Sequence, residues 1–268
     1  MRRMTTMIAI CALLAASTTA LASTGIFLKI PGVPGTADCP GHRDFVKAES
    51  VILAPDTDGE GGIVSITKLL DKASPKLGQY ETNETKLPGS QMHITKTSHG
   101  YAKTLFNFRF EDVQVTRAGS ADLSEFQRGL LGKAPAADVG WLTFRYGDIQ
   151  WEYTPTKDGQ REGCRGILVK HGSKRLPLAA FGIGATDNTT RVGIVARNSR
   201  PSGLLSGERI QGVVVALLGK EGPRHLLSIG RAGIDMTGTI NPSQVGIVSE
   251  DDPLFGVILS PTQVKFGQ

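Results

Sequence analysis

Alternation of apolar and polar residues in two segments constrains the fold of this chain more than any other feature. Residues 105–113 read LFNFRFEDV, and residues 142–153 read LTFRYGDIQWEY. Side chains along a β-strand point alternately to opposite faces of the sheet, so a period of two residues buries every second side chain. The segments therefore predict antiparallel strands with one core face, to which they contribute Phe106, Phe108, Phe110, Leu142, Phe144, Tyr146, Ile149, Trp151 and Tyr153.

The Gly147-Asp148 step divides the second segment, and it is compatible either with a hairpin or with one strand interrupted by a bulge. Residues 36–45 are polar with Gly and Pro and predict an extended loop. A second protruding loop is expected at 119–140. Shorter strands are predicted at 26–30, 51–54, 63–67 and 92–96.

One short helix is predicted to begin at Ser74-Pro75. Proline disfavours the α conformation for the residue before it, which suits a non-helical N-cap, and it is favoured at the first helical position. The Ser74 hydroxyl can accept a hydrogen bond from the first free N–H groups. Because Pro88-Gly89 follows, the helix has at most about three turns.

Composition changes after residue 154. Every Tyr and Trp lies at or before Tyr153, whereas the later residues form short apolar runs separated by Gly, Pro, Asn and Ser. This spacing predicts a second all-β domain of unknown type at 166–268. The polar segment 157–165 is the expected linker between it and a first β-domain at 23–156.

Three segments occur in a fixed order: IFLKIPGVPG at 26–35, DKASP at 71–75 and LTFRYGDIQWEYTP at 142–155. Together they resemble the Hcp family, the haemolysin-coregulated tube proteins of bacterial type VI secretion systems, over residues about 25–156. The resemblance implies a two-sheet β-barrel that carries one helix. It also implies a homo-hexameric ring, with rings stacked into a tube that delivers effectors, and partners among type VI secretion components. Loops such as 36–45 and 119–140 suit lateral and stacking contacts in such a ring.

The N-terminus has the three parts of a signal peptide. Arg2 and Arg3 precede an apolar run at 7–16, which is too short to span a bilayer, and Ala20-Leu21-Ala22 has the A-x-A form of a cleavage site. Cleavage is expected between Ala22 and Ser23, so residues 1–22 would be removed. This predicts a secreted or periplasmic protein without stable membrane insertion. The alternative is an N-terminal core helix of a cytoplasmic protein.

Cys39 and Cys164 are the cysteines that follow residues 1–22. An even number of cysteines in an exported chain permits one disulfide. Two unpaired thiols are equally compatible with the sequence, because a bridge requires a short Cα–Cα separation that spacing alone does not define.

Charge and motif spacing favour a protein without catalytic chemistry. The formal net charge is +5, and the two charges of Arg2 and Arg3 lie in the signal segment, so nucleic acid is not an expected partner. The opening of a calcium loop at 56–60 lacks the remaining ligands and is interpreted as a turn. No metal-ligand spacing occurs among the histidines, which are His42, His93, His99, His171 and His225. No catalytic residue, metal or cofactor is predicted.

Three functional hypotheses follow. The first is a ring- or tube-forming structural protein specialised by its C-terminal β-domain. The second is a secreted or periplasmic binding protein that uses the same scaffold for interaction. The third is a tube subunit fused to an effector in residues 166–268, where neither a nucleophile with its base nor a metal-binding set is visible.

Overall fold

The predicted alternating segments are strands in the structure. The computed structural model describes residues 23–55, 61–98, 101–120, 122–132, 138–154, 162–186, 189–197, 209–219, 222–242, 247 and 254–267. The elements of the first part are β1 (Ser23–Lys29), β2 (Val46–Ala48), β3 (Ser50–Pro55), β4 (Gly62–Leu69), α1 (Ser74–Thr82), β5 (Lys86–Ser98), β6 (Tyr101–Ser120), α2 (Glu125–Leu131), β7 (Val139–Tyr146) and β8 (Asp148–Tyr153). Those of the second part are β9 (Glu162–Gly163), β10 (Ile167–His171), β11 (Lys174–Leu178), β12 (Ala180–Thr186), β13 (Thr189–Arg197), β14 (Arg209–Gly219), β15 (Gly222–Ile240), β16 (Leu254–Pro261) and β17 (Val264–Phe266). The chain is thus mainly β, as predicted.

Strand pairing in the first part runs in a closed circuit, which we call the first barrel (β1–β8). Strand β1 pairs with β5, β5 with β6, β6 with β7, β7 with β4, and β4 with β3. The circuit closes because β2 and β3 are consecutive around Glu49, and β2 pairs with β1. All of these pairs are antiparallel, so neighbouring strands need only short connections.

Strands β7 and β8 form one interrupted strand rather than a hairpin. Both pair with β6, β8 along its first half and β7 along its second, and the Gly147 N–H donates to the Glu111 carbonyl oxygen at 2.9 Å. Of the two alternatives for the Gly147-Asp148 step, the interrupted strand is therefore correct. The step keeps the apolar residues on both sides of it on the core face.

The aromatic row fills the interior of the first barrel. Phe106, Phe108, Phe110 and Phe144 are each at most 1% exposed. Phe110 packs against Phe144 with ring centroids 5.3 Å apart and against Tyr146 at 5.2 Å. Aromatic pairs at these separations contribute about 0.5–1.5 kcal/mol beyond their buried area.

Helix α1 lies where it was predicted, but its N-terminal cap differs. The N-cap residue is Ala73, without a side-chain hydrogen bond, and Pro75 lies in the first turn. The Ser74 hydroxyl instead accepts a hydrogen bond from the Asp71 N–H at 3.0 Å, while Asp71 Oδ1 accepts one from the Ala73 N–H at 3.1 Å. The expectation that Ser74 is the N-cap was therefore wrong, and Asp71 and Ser74 instead organise the turn before the helix.

Helix α2 occupies part of the segment predicted to be a protruding loop, so the expectation of a single helix was wrong. Ser124 and Gln127 form a capping box, and Gly132 ends the helix with φ of 68°. A capping box satisfies two N-terminal N–H groups, and a left-handed glycine is a frequent C-terminal stop. These capping signals are present in the sequence. The helix was nevertheless not predicted, because its seven residues are too few to show a helical periodicity.

The second part of the chain forms another closed circuit, the second barrel (β10–β17). Strand β10 pairs with β14, β14 with β15, β15 with β16, β16 with β13, and β13 with β12. Strand β11 continues into β12 and pairs with β10, which closes the circuit. The predicted second all-β unit is therefore present.

Among the described residues no helix is long and apolar enough to cross a membrane.

One strand from each barrel forms a seam between the two barrels. Strand β12 of the second barrel pairs antiparallel with β3 of the first, with Ile52 opposite Gly182. Every residue of β3 is buried, because β4 and β12 flank it and both of its faces are covered. One cluster of buried apolar side chains extends through both barrels.

Candidate functional site

The loop at 36–45 is the first surface that the sequence marks for contacts, and its own backbone makes it rigid. The Gly35 N–H donates to the Asp44 carbonyl oxygen at 2.7 Å, and the Ala37 N–H donates to that of Phe45 at 3.0 Å. These bonds bring the two ends of the loop together. Asp38, Arg43 and Asp44 are exposed along it. The backbone hydrogen bonds of the loop therefore fix its conformation, with these charged side chains on its surface.

Two histidines anchor this loop to the first barrel. His42 is 3% exposed, its ring stacks on Phe27 with centroids 4.5 Å apart, and Phe45 meets it edge-on at 5.2 Å. Its Nε2 shares a hydrogen bond of 3.0 Å with Nδ1 of His93 on β5. A hydrogen bond between two imidazoles needs at least one lone pair, so doubly protonating the pair would break it.

Burial keeps both rings neutral. Burial lowers the pKa of His42, opposed by a hydrogen bond with the Pro40 carbonyl. The pKa of His93 is lowered to about 4, mainly by burial and also by the positive charge of His42, Lys29 and Arg109, while a hydrogen bond with Asn107 opposes the shift. The pair is therefore a structural anchor at neutral pH.

Asp71 holds the loop from its other side. Its Oδ2 accepts a hydrogen bond from the Thr36 hydroxyl at 3.1 Å, and its Oδ1 lies 2.7 Å from Lys68 Nζ. The side chains of Lys68 and Asp71 are 3% and 8% exposed. Lys68 also donates to the Leu69 carbonyl oxygen and the Ser74 hydroxyl, at 2.6 and 2.9 Å. A buried ion pair is tolerated when its remaining donors are satisfied in this way.

The second segment marked for contacts, 119–140, makes its contact within the chain. Phe126 and Leu130 of α2 are at most 1% exposed, and they pack against Ala180, Val195 and Ile258 of the second barrel as well as Ile52 of the first. The described part of this segment therefore covers the seam between the barrels. Its expected role as a protruding ring contact was wrong for α2.

A cavity of about 370 Å³ opens where the two barrels meet. Arg145 on β7 and Arg197 at the end of β13 line it, together with Tyr146 and Ile247. Arginines on a cavity wall can bind an anionic group through their fixed fork of donors. Within the described part of the chain, no group of three or more His, Cys, Asp or Glu side chains could hold a metal ion.

The remaining predicted site residues fall as follows. Cys39 and Cys164 are both free in the structure. Cys39 lies half-buried in the 36–45 loop, whereas Cys164 is buried and its thiol donates to the Gly166 carbonyl oxygen at 3.3 Å. Burial raises the pKa of Cys164 to about 11, opposed by that bond. Ser23 begins β1, while Ala22, His99 and the 56–60 turn lie outside the described residues.

A model of one protein family matches the first barrel. The family is described as "Type VI secretion system effector, Hcp", and the match covers residues 27–153. This confirms the resemblance that the three sequence segments indicate for residues about 25–156. A comparison with curated proteins finds no match.

Solved structures similar to this chain include three with Hcp in their descriptions. Hcp1 from Salmonella typhimurium has 19% identity and a TM-score of 0.42, with 53% of this chain and 92% of that chain covered. Hcp1 from E. coli EAEC 042 pathovar has 17% identity and a TM-score of 0.39, with coverage of 53% and 95%. The secreted protein Hcp3 from Pseudomonas aeruginosa has 19% identity and a TM-score of 0.39, with coverage of 53% and 96%.

Proposed function

We propose that the chain is a structural subunit of a ring or tube rather than an enzyme, because residues 27–153 match the family model of the Hcp proteins of type VI secretion. The observation that carries the proposal is the coincidence of the family match with the closed circuit of β1–β8. In the proposed assembly, first barrels contact one another laterally, by unlike surfaces that close into a hexameric ring.

The loop at 36–45 is the proposed contact segment. It is rigid, it projects exposed charges at Asp38, Arg43 and Asp44, and it is anchored on both sides by buried polar groups. A preformed loop binds without a large ordering cost. The second barrel then specialises the subunit, either as an appendage on the ring or as a module that limits stacking.

A second candidate function is a secreted or periplasmic interaction protein on the same scaffold. The observation that favours it is the signal-like segment at 1–22, with Ala22-Ser23 as the proposed cleavage position. A protein exported in this way would reach the periplasm without the type VI machinery. The N-terminal residue of the protein recovered from periplasm and from cytoplasm tests this candidate: Ser23 in the periplasm favours it, and an intact N-terminus confined to the cytoplasm contradicts it.

The molar mass of residues 23–268, measured by multi-angle light scattering across a concentration series, tests ring assembly. We expect six times the mass of the chain, with rings visible by negative-stain electron microscopy. Arg43→Glu should lower the mass at a given concentration, because it reverses an exposed charge on the contact loop. The matched control is Arg175→Glu, at an exposed arginine on β11, which should leave the mass unchanged. A monomer at every concentration would refute the tube function.

A further inference from the structure

The second barrel repeats the strand pairing of the first, element by element. Strand β10 corresponds to β1, the β11–β12 pair to β2–β3, β13 to β4, β14 to β5, β15 to β6, β16 to β7, and β17 to β8. Each antiparallel pairing that closes the first barrel recurs between the corresponding strands of the second, including the pairing of β17 with β15 that mirrors β8 with β6. The order of these strands along the chain is also the same.

Two bulges occur on corresponding strand pairs of the two barrels. Leu105 is the extra residue of β6 where it pairs with β5, and Leu226 is the extra residue of β15 where it pairs with β14. Thr116 and Asp235 are likewise the extra residues opposite β7 and β16. The first bulge lies at the same distance from the hairpin end in both barrels, since the intervening pairs run from Thr95–Thr104 to Ser98–Tyr101 and from Ala216–His225 to Gly219–Gly222. Bulges of this kind are kept within families, so a shared pair indicates a shared origin.

The bulges define which residues correspond. Phe144 and Leu259 are the partners of the residues just before the second bulge. They face Val64 and Val192 across the next pairing. Those valines face Leu53 and Ile183 in turn, so Ile52 corresponds to Gly182. The inward positions of one barrel thus match apolar positions of the other: Ile66 with Ile194, Ile94 with Val215, Phe106 with Leu227, Phe108 with Ile229, and Leu142 with Val257.

Corresponding residues meet at the seam. Ile52 is paired with Gly182, its own counterpart. The flanking pairs Leu53–Phe181 and Val51–Ile183 exchange places when each residue is replaced by its counterpart. An arrangement in which each partner presents the same patch, and residue i meets j as j meets i, is an isologous contact about a twofold axis.

We infer that the second barrel, β10–β17, is a second, diverged copy of the Hcp-type barrel, and that the chain is an internal pseudo-dimer joined through the same edge of each copy. The partner at the edge of β3 is thus β12 of the second barrel, the counterpart of β3 itself. An isologous contact closes on itself, whereas neighbours in a head-to-tail ring meet through unlike surfaces. The two barrels of one chain therefore do not occupy adjacent positions in one such ring.

Helix α2 reinforces the seam from the side of the first barrel. A Cβ atom at Gly193 would lie 2.6 Å from Cζ of Phe126, and one at Gly182 would lie 2.9 Å from Cδ1 of Leu130. Only glycine allows the helix to approach the strands this closely. The residue of the first barrel that corresponds to Gly193 is Ser65. The glycine at this position is thus a feature of the second barrel, and it makes room for α2.

Cysteine cross-linking in the full mature chain tests the twofold register. In a background with Cys39→Ser and Cys164→Ala, two double variants place cysteines directly opposite each other: Leu53→Cys with Phe181→Cys, and Val51→Cys with Ile183→Cys. Residues directly opposite in antiparallel strands lie close enough for a disulfide after small adjustment. We expect both pairs to form an intramolecular bridge on mild oxidation, seen by intact mass and by mobility without reductant.

The matched control is Leu53→Cys with Ile183→Cys, which is two residues out of register, about 7–8 Å apart, and should keep free thiols. A bridge in the control, or in only one of the two paired variants, would overturn the inference. Hydrogen exchange on the unsubstituted chain guards against misfolding of the variants: β3 amides should exchange as slowly as those of β4, and edge-like fast exchange would also overturn it.

The experiments distinguish a failure of the proposed ring assembly from a failure of the proposed pseudo-dimer. A chain that is monomeric by light scattering but forms both bridges loses the proposed tube function and keeps the pseudo-dimer. A ring in which three chains supply six barrels related by one rotation would overturn the pseudo-dimer while keeping ring assembly.

Discussion

Replacing His93 by glutamine should remove a pH dependence of stability that its pairing with the buried His42 creates. His93 lies 3.0 Å from His42 through its Nδ1, and Lys29 and Arg109 add positive charge around it. Glutamine retains a hydrogen-bonding amide near His42 but carries no charge at any pH. The comparison of His93→Gln with the unsubstituted chain therefore isolates the ionisation of one ring.

The sign and size of this pH dependence of stability follow from the pKa of His93. It is lowered from 6.5 in the unfolded chain to about 4 in the folded one, mainly by burial. The unfolded state therefore binds more protons between these values, so the contribution to stability is complete above pH 6.5 and is lost as the pH falls toward 4. At pH 5 the full shift would correspond to about 2 kcal/mol at 1.36 kcal/mol per pH unit, and the partial exposure of His93 reduces this to about 1 kcal/mol.

Urea unfolding monitored by tryptophan fluorescence at pH 7 and pH 5 measures the effect. The unsubstituted chain should lose about 1 kcal/mol more of its unfolding free energy between these values than His93→Gln does. Carboxylates that titrate near pH 5 are common to both proteins and cancel in the difference. His225→Gln, at an exposed histidine on β15, is the matched control and should behave like the unsubstituted chain. Equal losses in His93→Gln and the unsubstituted chain would show that the pair is not a pH-sensitive anchor.

Two further predictions concern packing and charge. Phe126→Ala removes the aromatic anchor of α2 from a site that is 1% exposed, and it should lower the free energy of unfolding by about 3–5 kcal/mol. Urea unfolding measures this loss, and Glu125→Ala, at an exposed residue of the same helix, is the control. A loss in Phe126→Ala no larger than that in the control would contradict the packing of α2 on the seam. Asp71→Asn leaves Lys68 as a buried cation without its carboxylate and should cost about 3–5 kcal/mol. Asp44→Asn breaks an exposed ion pair and should cost less than about 1 kcal/mol, so similar costs in thermal melts of the two variants would refute the buried pair.

Much of the first barrel follows from local patterns. The phenylalanine row at 106, 108 and 110 lies on the core face because side-chain direction alternates along any strand, whatever its partner. The continuous apolar run of β3 is consistent with burial on both faces, and the structure places β4 and β12 beside it. The start of α1 was less predictable, because Lys68 donates to the Ser74 hydroxyl, and that hydroxyl accepts from the Asp71 N–H before the helix.

The loop anchor could not be predicted from spacing. His42 and His93 are far apart in the chain, and their 3.0 Å contact depends on how the loop returns to β5. Neither residue stands in a motif, and both are ordinary surface candidates by residue type. Their burial is decided by Phe27 and Phe45, which enclose the ring of His42.

The sequence by itself determined that this chain is built from β-strands with a buried aromatic face, that its first half resembles the Hcp family, and that its second half is β-rich. It did not reveal that the halves share one strand-pairing scheme. Inward positions that hold Phe106, Phe108 and Phe144 in the first barrel hold Leu227, Ile229 and Leu259 in the second. A core requires apolar side chains of suitable volume but not particular ones, so the two sequences could diverge while the strand-pairing scheme, which depends on contacts between distant segments, stayed the same.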